Sequence, residues 1–561
     1  MVYFGSMKKD FSFLIGGPAG AGIEKAGISL SKAFVRGGYE VFSNGEHMSQ
    51  IRGGNNFIRA RVSDEHHQVH LGEIDVMVAL DRQTIEEHAG EMREGSVVIF
   101  DGSAVDVEGL DFGKAKTMNL PLKELAGDPL MSNTVALGAV CGLVGFDVAV
   151  LKNVLREIFG KKSAEVIANN EKAVDAGVAQ VKAPMKIQLP KVDGAKPKMF
   201  LGGNDALCIG ALKAGLKFVG EYPMTPSSSV LHFMAKWSKK FGIVVKHTED
   251  EIAACNSLIG AGFMGVRAMA ATSGGGFALM GEAIGLAAMN EVPIVVVDVM
   301  RPGPATGLPT RSGQGDLRQV IHAGQDDPNK IVLLPGTPQE CAEFSFLAFN
   351  LAEKYQMPVI IAYDKFLGES LYCVEEFGEF GEIDRGKILS EVGEDFKRYL
   401  RTEDGVSPRS VPGVPNGMYR ATSDEHNEYG EICEEPGNRK LMQEKRMKKL
   451  EGALNDCPKP ELIGPADAET TFVTWSSNVG ALKEVCKMMS ANILQIKTAI
   501  PFHTEEVKKL LEGAKKLILV EQNFSGQMGG LIREHTGIDI ENKILKYDGR
   551  PFTAKEIYDK H

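Results

Sequence analysis

The chain has 561 residues, of which 43% are hydrophobic and 24% are charged, a composition that is ordinary for a globular protein. Its formal net charge is −11 and it has no long basic run, which disfavours nucleic acid as the main partner, because phosphate contacts need clustered lysine and arginine. Its most apolar stretches, such as residues 293–300, are too short to span a bilayer, so no membrane partner is expected.

The eight cysteines are scattered along the chain, and no two of them form a C-x-x-C pair. Zinc sites and iron–sulfur clusters usually show such tight spacings, so neither is expected on this chain. The first ten residues lack the apolar core of a signal peptide. We therefore expect a cytoplasmic protein whose thiols stay reduced.

The first predicted elements form an α/β unit. An apolar run at Phe11–Ile15 is followed by a glycine-rich turn at residues 16–22 and by a helical pattern over Ile23–Arg36. These elements predict a first domain over residues 1–183, followed by a linker, rich in proline and lysine, over residues 184–199. Within this domain, two further strands and a closing helix are predicted at Val76–Leu80, Ser96–Phe100 and Glu165–Val181.

A second α/β pattern predicts a domain over residues 200–372. Helices alternate with its strands, which predicts a mainly parallel sheet covered by helices on both faces. The strands are predicted at Val244–Lys246, Ala268–Ala271, Ile294–Val299, Ile331–Leu334 and Val359–Ala362.

The pattern degrades over residues 373–459, which form an irregular connecting segment with one charged helix at Gln443–Leu454. Long irregular stretches in compact proteins are usually functional or mobile. A third α/β pattern covers residues 460–561, with strands near Thr471–Trp475 and Leu517–Glu521. The chain is therefore predicted to be an α/β protein of three domains.

The segment from Tyr222 to Asp316 carries the residues with chemistry. Loops after the carboxyl ends of parallel strands are where such sheets bind ligands. A Thr225 hydroxyl held between two prolines and the guanidinium of Arg301 would clamp a small carboxylate such as a 2-oxoacid. The features are a proline-rich turn, acids that precede an apolar helix, a glycine loop and an arginine loop, at Tyr222–Ser229, Glu249–Ala254, Thr272–Phe277 and Met300–Asp316.

Each of these features has an ordinary structural role when taken alone. The proline turn can be just a rigid turn, and Glu251 can be a solvated acid in a first helical turn. The glycine loop fits a phosphate cradle or tight packing, and Arg301 fits a structural ion pair. Their order, residue types and loop placement together favour a binding site.

Taken together, these motifs closely resemble the alpha subunit of the 2-oxoacid:ferredoxin oxidoreductases, the family of the 2-oxoglutarate and pyruvate synthases. The most specific part of the resemblance is Arg301–Leu317, and the turn departs from the family only at Met224, where isoleucine is commoner. The C-terminal segments Val520–Asn523 and Tyr547–Phe552 resemble the same subunit. An N-terminally fused gamma domain is indicated by Gly16–Gly22, Gly45–Met48 and Ile51–Gly54.

The resemblance implies an identity for each domain. Residues 1–183 would be the gamma-type domain, and residues 200–372 the pyrimidine-type domain that binds thiamine diphosphate. Residues 460–561 would be the C-terminal domain, which is similar to that of transketolases.

The resemblance also assigns roles to residues. Glu251 matches the catalytic glutamate that hydrogen-bonds the aminopyrimidine ring of thiamine diphosphate, with Glu249 and Asp250 as neighbouring alternatives. Thr225 and Arg301 match the residues that hold the substrate. Arg311 is the candidate cation from this chain for a second substrate carboxylate, and the partner subunit could equally supply that cation. The cofactor contacts expected on this chain are Tyr222, Pro223, Thr225, Glu251, Ser273, Gly274 and Gly275.

Two motifs of this enzyme class are missing. The sequence has no Gly-Asp-Gly motif for magnesium and diphosphate, and no four clustered cysteines for a [4Fe-4S] centre. The resemblance therefore implies that both lie on a separate beta subunit, that thiamine diphosphate is shared between the two chains, and that no metal binds here. It further implies ferredoxin and coenzyme A as reaction partners, and a dimer of heterodimers.

The implied reaction converts a 2-oxoacid and coenzyme A into acyl-CoA and carbon dioxide while ferredoxin is reduced. From family architecture we expect 2-oxoglutarate as the substrate, with pyruvate, branched-chain or broad specificity as alternatives. A non-catalytic scaffold chain of the same fold is one rival. A nicotinamide-dependent dehydrogenase is another, although Gly17, Gly20 and Gly22 do not complete the dinucleotide fingerprint.

Overall fold

The structure is a computed structural model that describes residues 10–48, 54–183, 189, 192 and 198–561. Three sequence expectations fall wholly or mostly outside these residues: the absence of a signal peptide, the linker over residues 184–199, and residues 51–53 of the gamma-type motif. In the described part of the chain, no helix is long and apolar enough to cross a membrane.

The N-terminal part of the chain contains seven strands and six helices among its described residues. The helix predicted over Ile23–Arg36 is confirmed at both ends. In chain order the elements are β1 (Asp10–Gly17), α1 (Ile23–Arg36), β2 (Glu40–Glu46), β3 (Asn56–Ser63), β4 (Ile74–Ala79), α2 (Arg82–His88), β5 (Met92–Phe100), β6 (Lys116–Asn119), α3 (Leu122–Ala126), α4 (Ser132–Val144), α5 (Val148–Phe159), α6 (Ala164–Ala179) and β7 (Met199–Leu201).

The central part follows the alternation of strands and helices that the sequence predicts. Each of the five predicted strands has a counterpart. The elements are α7 (Gly203–Lys213), β8 (Phe218–Glu221), α8 (Ser228–Phe241), β9 (Val244–His247), α9 (Glu251–Phe263), β10 (Ala268–Thr272), α10 (Gly274–Leu279), α11 (Gly281–Met289), β11 (Ile294–Met300), α12 (Leu317–Ile321), β12 (Ile331–Leu333), α13 (Pro338–Tyr355), β13 (Pro358–Asp364), α14 (Lys365–Glu369) and β14 (Leu371–Val374).

The C-terminal part begins with a long helix that extends beyond the one predicted at Gln443–Leu454. Both strands predicted here are present. The elements are α15 (Pro436–Asp456), β15 (Glu461–Ile463), β16 (Thr470–Thr474), α16 (Asn478–Val485), β17 (Ala491–Gln495), β18 (Thr498–Ile500), α17 (Thr504–Glu512), β19 (Leu517–Glu521), α18 (Gln527–Thr536), β20 (Lys543–Leu545) and α19 (Ala554–Tyr558).

The chain divides into two compact units. The first holds the described residues up to Leu201 together with Ser370–Glu376 and Thr553–Glu556. Its sheet has eight strands in the order β6-β5-β4-β1-β3-β2-β14-β7, in which β1 pairs parallel with β4 and antiparallel with β3. Strand β3 was not predicted, because it buries Arg59 and Arg61 against acidic partners and is therefore not a continuous apolar run.

The second unit contains two sheets that share one core. The larger sheet has the order β18-β12-β13-β11-β10-β8-β9, and all of its strands are parallel except β18. The smaller sheet has the order β15-β17-β16-β19-β20. Buried side chains of both sheets, among them Val296 and Trp475, belong to one apolar cluster. The predicted α/β class is confirmed, with three sheets in all.

The connecting segment is irregular but firmly held. Between β14 and α15 the described chain has no helix or strand apart from two isolated bridges. Buried charges attach it to the second unit: Arg409 pairs with Glu353 at 3.2 Å, and Arg398 donates to the carbonyl of Glu291 at 2.8 Å. The Glu291 carboxylate is itself buried, and Lys445 and Lys449 of α15 lower its pKa. Because a buried charge is costly unless paired, these contacts fix the path of the segment.

Candidate active site

The predicted features meet at one edge of the parallel sheet. Strands β9, β8, β10 and β11 are consecutive neighbours, so their carboxyl ends lie side by side. The turn after β8 carries Thr225, the segment after β9 carries Glu251, the loop after β10 carries Ser273, and the loop after β11 carries Arg301. This is the edge where parallel sheets bind ligands, as the sequence indicated.

The proline turn is fastened by backbone hydrogen bonds. The Ser227 N–H donates to the Met224 carbonyl at 2.8 Å, and Asn204 donates to the Pro226 carbonyl at 3.0 Å. Arg301 Nη1 donates to the Thr225 carbonyl at 2.7 Å, which brings the two predicted substrate-binding residues together. The Thr225 hydroxyl makes no hydrogen bond to any described residue, so it remains available to a ligand.

Glu251 is distinguished from its acidic neighbours by burial. Asp250 is the N-cap of α9 and accepts a hydrogen bond from the Ala253 N–H at 2.8 Å, whereas Glu249 is exposed. Glu251 is only 3% exposed, and its Oε1 has no hydrogen-bond partner. Burial raises the pKa of Glu251, as does the charge of Asp250, while Arg301 opposes the shift. An unsatisfied buried carboxyl of this kind is costly unless a ligand supplies its partner.

The glycine loop makes room for two carboxyl groups. A Cβ at Gly276 would lie 2.4 Å from Glu251 Oε1, and a Cβ at Gly274 would lie 2.4 Å from Asp316 Oδ2. Gly275 is exposed, and its nearest neighbour would be 3.8 Å away. The close approach of these carboxyl groups therefore explains why glycine is needed at positions 274 and 276. Of the two roles considered for this loop, this observation supports tight packing. The adjoining Ser273 hydroxyl is buried without a partner.

Three acids at this edge, two of them buried, were not singled out from the sequence. Asp298 in β11 and Glu221 at the end of β8 are fully buried, and burial raises the pKa of both. Neither oxygen of Asp298 has a partner, and the charge of Asp316 adds to its shift. Burial raises the pKa of Asp316 to about 6, against the opposing charge of Arg301. A lone acid in an otherwise apolar strand was the available signal for Asp298.

Other predicted site residues lie further out. Tyr222 is partly exposed, with its ring centroid 6.2 Å from that of His247, and Pro223 is half-buried. The charges of Asp316 and Glu251 act on the pKa of Arg301, whereas the charge that acts on the pKa of Arg311 is that of Arg550. In the described part of the chain, no three His, Cys, Asp or Glu side chains cluster as a metal site.

A buried polar network holds the arginine loop against the C-terminal sheet. Gln314 donates to Asp364 at 2.9 Å and accepts a hydrogen bond from the Gln522 N–H at 2.9 Å. Asp364 also accepts a hydrogen bond from the Ser477 N–H at 3.1 Å. Asn523 donates to the Gln314 carbonyl at 3.1 Å, so the Val520–Asn523 motif supports the loop directly. Buried hydrogen-bond networks of this kind rigidify the groups they contain.

Two protein families match separate regions of the chain. A family described as pyruvate flavodoxin/ferredoxin oxidoreductase, thiamine diphosphate-binding, matches residues 209–445. A second family, pyruvate ferredoxin/flavodoxin oxidoreductase, matches residues 12–180. The chain therefore contains both a thiamine diphosphate-binding family region and a separate N-terminal family region.

Relatives match over the full length as well. The 2-oxoacid:ferredoxin oxidoreductase subunit alpha of a Sulfolobus species is 34% identical, with 97% of this chain and 95% of that protein covered. The 2-oxoglutarate synthase subunit KorA of Methanothermobacter thermautotrophicus is 36% identical over 64% of this chain and 96% of its own length.

A solved structure gives the same result. The 2-oxoglutarate:ferredoxin oxidoreductase of Magnetococcus marinus, with 2-oxoglutarate, coenzyme A and succinyl-CoA bound, has a TM-score of 0.92 and 33% identity. The match covers 98% of this chain and 99% of that one. This chain belongs to the alpha subunits of the 2-oxoacid:ferredoxin oxidoreductases, and is a subunit of an oxidoreductase.

Proposed function

We propose that this chain, together with a beta subunit, oxidatively decarboxylates 2-oxoglutarate with coenzyme A to succinyl-CoA and carbon dioxide and passes the electrons to ferredoxin. The observation that carries the proposal is the grouping of Thr225, Glu251 and Arg301 at one sheet edge, with a buried Glu251 oxygen that lacks a partner. Pyruvate, a branched-chain 2-oxoacid or broad specificity are the alternative substrates.

The substrate carboxylate would bind Arg301. Its side chain is buried, and one of its five N–H donors is already used by the Thr225 carbonyl. The remaining donors suit a planar carboxylate, and the Thr225 hydroxyl suits the neighbouring oxygen. Arg311 is the candidate from this chain for the second carboxylate of 2-oxoglutarate. The Magnetococcus marinus relative, whose structure contains 2-oxoglutarate, supports this choice of substrate.

The donor set fits thiamine diphosphate. Glu251 Oε1 is buried and lacks a hydrogen bond, which is what a carboxyl awaiting a ring nitrogen requires. When bound, this cofactor supplies the carbanion stabilisation that cleavage next to a 2-oxo group needs. Glu251 would hold the shared proton at its carboxyl. The further contacts that we assign to the cofactor are those of Tyr222, Pro223, Thr225, Ser273, Gly274 and Gly275.

The beta subunit would supply what this sequence lacks. Neither a Gly-Asp-Gly motif nor four clustered cysteines is present, so we assign Mg²⁺, the diphosphate anchor and the [4Fe-4S] cluster to that subunit. The cofactor would then be shared between the two chains, which we expect to form a dimer of heterodimers. Ferredoxin would accept electrons from the cluster.

A non-catalytic scaffold is the second candidate, and the buried acids disfavour it. Glu221, Glu251 and Asp298 all have carboxyl oxygens that are buried without a hydrogen-bond partner. Such groups cost stability, and a scaffold would gain nothing from keeping them. Their concentration at one edge of the sheet is the pattern of a site that is completed by ligands.

The test is the activity of the purified pair of chains on a panel of 2-oxoacids, with coenzyme A and a low-potential dye as the electron acceptor. We expect coenzyme A-dependent dye reduction that is fastest with 2-oxoglutarate. Faster reduction with pyruvate or a branched-chain 2-oxoacid would contradict the substrate assignment. A pair that carries thiamine diphosphate and its cluster yet is inactive on the whole panel would favour the scaffold.

A further inference from the structure

Asp316 stands at the start of helix α12, but its side chain does not cap that helix. Its backbone carbonyl accepts a hydrogen bond from the Val320 N–H at 2.9 Å, whereas its carboxyl accepts none from the first turn. An aspartate at this position normally caps the helix with its side chain. Here the carboxyl lies over the glycine loop instead, since a Cβ at Gly274 would be 2.5 Å from Asp316 Cγ. The Asp316 carboxyl is therefore directed toward the candidate active site.

The backbone holds this carboxyl in place. The Gln319 side chain in α12 donates to the Gly274 carbonyl at 3.0 Å, which fastens the helix to the glycine loop. The Arg318 N–H at the start of the same helix donates to the Gln527 side chain at 2.9 Å. Asp316 Oδ2 is itself buried without a hydrogen-bond partner. A buried oxygen of this kind favours the neutral form of the acid, because the charged form has lost its solvent.

A second carboxyl, that of Asp298, lies in the strand beside the same loop. Asp298 pairs in parallel register with Thr272, the last residue of β10 before the glycine loop. It is fully buried, and neither of its oxygens has a hydrogen-bond partner. Burial raises the pKa of Asp298 well above its usual value, and the charge of Asp316 adds to the rise. Asp298 is therefore the neutral member of the pair, and Asp316 is the member that can change its charge near neutral pH.

Arg301 is the cation that both the substrate and these acids would share. It donates to the Thr225 carbonyl at 2.7 Å and forms no ion pair with a carboxylate of any described residue. Asp316 and Glu251 both act on its pKa through their charges. The other charged side chain of α12, that of Arg318, is exposed. A substrate carboxylate at Arg301 would therefore meet two acids that already lie within electrostatic range.

The charge of Asp316 is poised to respond to such a carboxylate. Burial raises the pKa of Asp316 to about 6, while the charge of Arg301 opposes the rise. At pH 7 the free enzyme therefore holds Asp316 largely in its ionised form. A bound 2-oxoacid adds a second negative charge nearby, and like charges in a partly buried site favour protonation of one of them. The 2-oxoacid is a stronger acid than Asp316 and stays ionised, so the proton goes to Asp316.

We propose that Asp316 takes up a proton from solvent when the carboxylate of the 2-oxoacid binds to Arg301, and returns it after carbon dioxide has left. The inference rests on the proposed function, in which that carboxylate is lost. Carbon dioxide leaves as a neutral molecule and the electron pair of the broken bond stays with the acyl fragment, so no substrate carboxylate remains beside Arg301. Asp316 is thus a positioning residue that, when neutral, leaves the charge of Arg301 to the substrate.

The first test is the pH dependence of kcat/KM for the 2-oxoacid that the assembled enzyme oxidises fastest, at saturating coenzyme A. Below about pH 6 Asp316 is neutral with or without substrate, so its protonation adds no pH dependence there. Above that pH, kcat/KM should fall by about tenfold, which corresponds to one pKa unit between the free and the bound state, and then level off.

Two amide variants distinguish proton uptake from a structural role. D316N cannot ionise, so we expect no such fall, and its KM for the 2-oxoacid at pH 8 should be no higher than that of the wild type. A merely structural role would instead raise the KM of D316N at every pH. D298N should keep the fall, because Asp298 is neutral over this range in the wild type.

The second test counts protons without turnover. The probe is glutarate, which has both carboxylates of 2-oxoglutarate but no oxo group to react. Its binding enthalpy is measured on the assembled enzyme at pH 7, in two buffers with different enthalpies of ionisation. We expect the wild type to take up roughly half a proton or more and D316N to take up none. D467N, at an exposed position, is the control and should take up as many protons as the wild type.

The inference is overturned if D316N takes up as many protons as the wild type, or if the fall in kcat/KM persists in D316N. It is also overturned if the wild type oxidises a 2-oxoacid with a kcat/KM that does not fall above about pH 6. If the assembled enzyme oxidises no 2-oxoacid at all, the proposed function itself fails instead.

Discussion

At the scale of single residues, the candidate site is a group of buried acids around one arginine. Glu251 and Asp316 both lie within electrostatic range of Arg301, and Asp298 adjoins Asp316. Burial is the largest cause that raises the pKa of each of these three carboxyls, and the charge of Arg301 opposes the shift at Glu251 and Asp316. Groups with perturbed pKa values are concentrated at catalytic sites.

Replacement of Glu251 tests the catalytic role. We expect E251Q to lower kcat by about 100-fold or more, because the carboxyl can no longer exchange a proton with the cofactor. The thermal midpoint of unfolding should not fall, since the amide removes a buried ionisable group. The control is E249Q, at an exposed neighbour, which should keep normal kcat. Near-normal turnover by E251Q would remove Glu251 from the mechanism.

Replacement of Arg301 tests the substrate contact. We expect R301A to lower kcat/KM for the 2-oxoacid. The corresponding loss of transition-state stabilisation should be about 1.5–3 kcal/mol, the range for a lost charged hydrogen bond. R301K should restore part of this loss, because it keeps the charge but not the planar donor geometry. The KM for coenzyme A is measured in parallel. A change confined to coenzyme A kinetics would show that Arg301 does not bind the 2-oxoacid.

The pH dependence of stability tests the buried acids. A carboxyl whose pKa is higher in the folded than in the unfolded chain stabilises the fold at low pH, and this contribution is lost as pH rises through the folded value. For Asp316, raised from 3.8 to about 6, the free energy of unfolding should fall by about 2 kcal/mol between roughly pH 4 and 6.

The D316N variant tests this pH effect. In this variant the free energy of unfolding should change less with pH between roughly pH 4 and 6 than it does in the wild type. The exposed variant D467N is the control and should keep the wild-type slope. Thermal midpoints measured from pH 4 to pH 7 give the slopes. If D316N and the wild type show the same slope, Asp316 does not titrate in this window.

Sequence motifs singled out the candidate site residues, but the surroundings of these residues could not be predicted. Thr225, Glu251 and Arg301 stood out by type and spacing, and their roles remain predictions. The hydrogen bond from Arg301 to the Thr225 carbonyl joins residues 76 positions apart, and the proximity of Asp316 to Asp298 likewise depends on the fold. Arg311 was grouped with Arg301 by sequence, whereas the structure places it against Arg550.

At the scale of elements, the glycine loop after β10 leaves the space that two carboxyls occupy. Strand β11 was predicted well, because its residues other than Asp298 are all apolar. A strand that is buried on both faces gives such a hydrophobic run in the sequence. Strand β8 was not predicted, since it contains Gly220 and the buried Glu221. In a strand of only four residues, these two leave too short a hydrophobic run for the strand to be recognised.

A pair of glycine variants tests the loop. We expect G276A to lower kcat by about tenfold or more, because the added Cβ would lie 2.4 Å from Glu251 Oε1 and must displace that carboxyl. G275A is the matched control, since its Cβ would have nothing closer than 3.8 Å. Steady-state kinetics and thermal midpoints are compared for both. Equal activity in the two variants would mean that Gly276 does not position Glu251.

At the scale of the whole molecule, the second unit joins the parallel sheet and the C-terminal sheet through one apolar core and the network around Gln314. The irregular connecting segment is fixed on this unit by buried charges such as Arg409 and Glu353. Its path could not be predicted, because ion pairs between distant residues leave no periodic signal in the sequence. The α/β class could be predicted, because strands and helices alternate along the chain.

The most direct test of the proposed function is 2-oxoglutarate-dependent carbon dioxide release by this chain with and without its beta subunit. We predict release that requires coenzyme A, an electron acceptor and both chains, because we assign Mg²⁺, the diphosphate anchor and the cluster to the beta subunit. We predict no release by this chain alone. Turnover by the isolated chain, or turnover by the pair that depends on a nicotinamide cofactor instead of ferredoxin, would contradict the proposal.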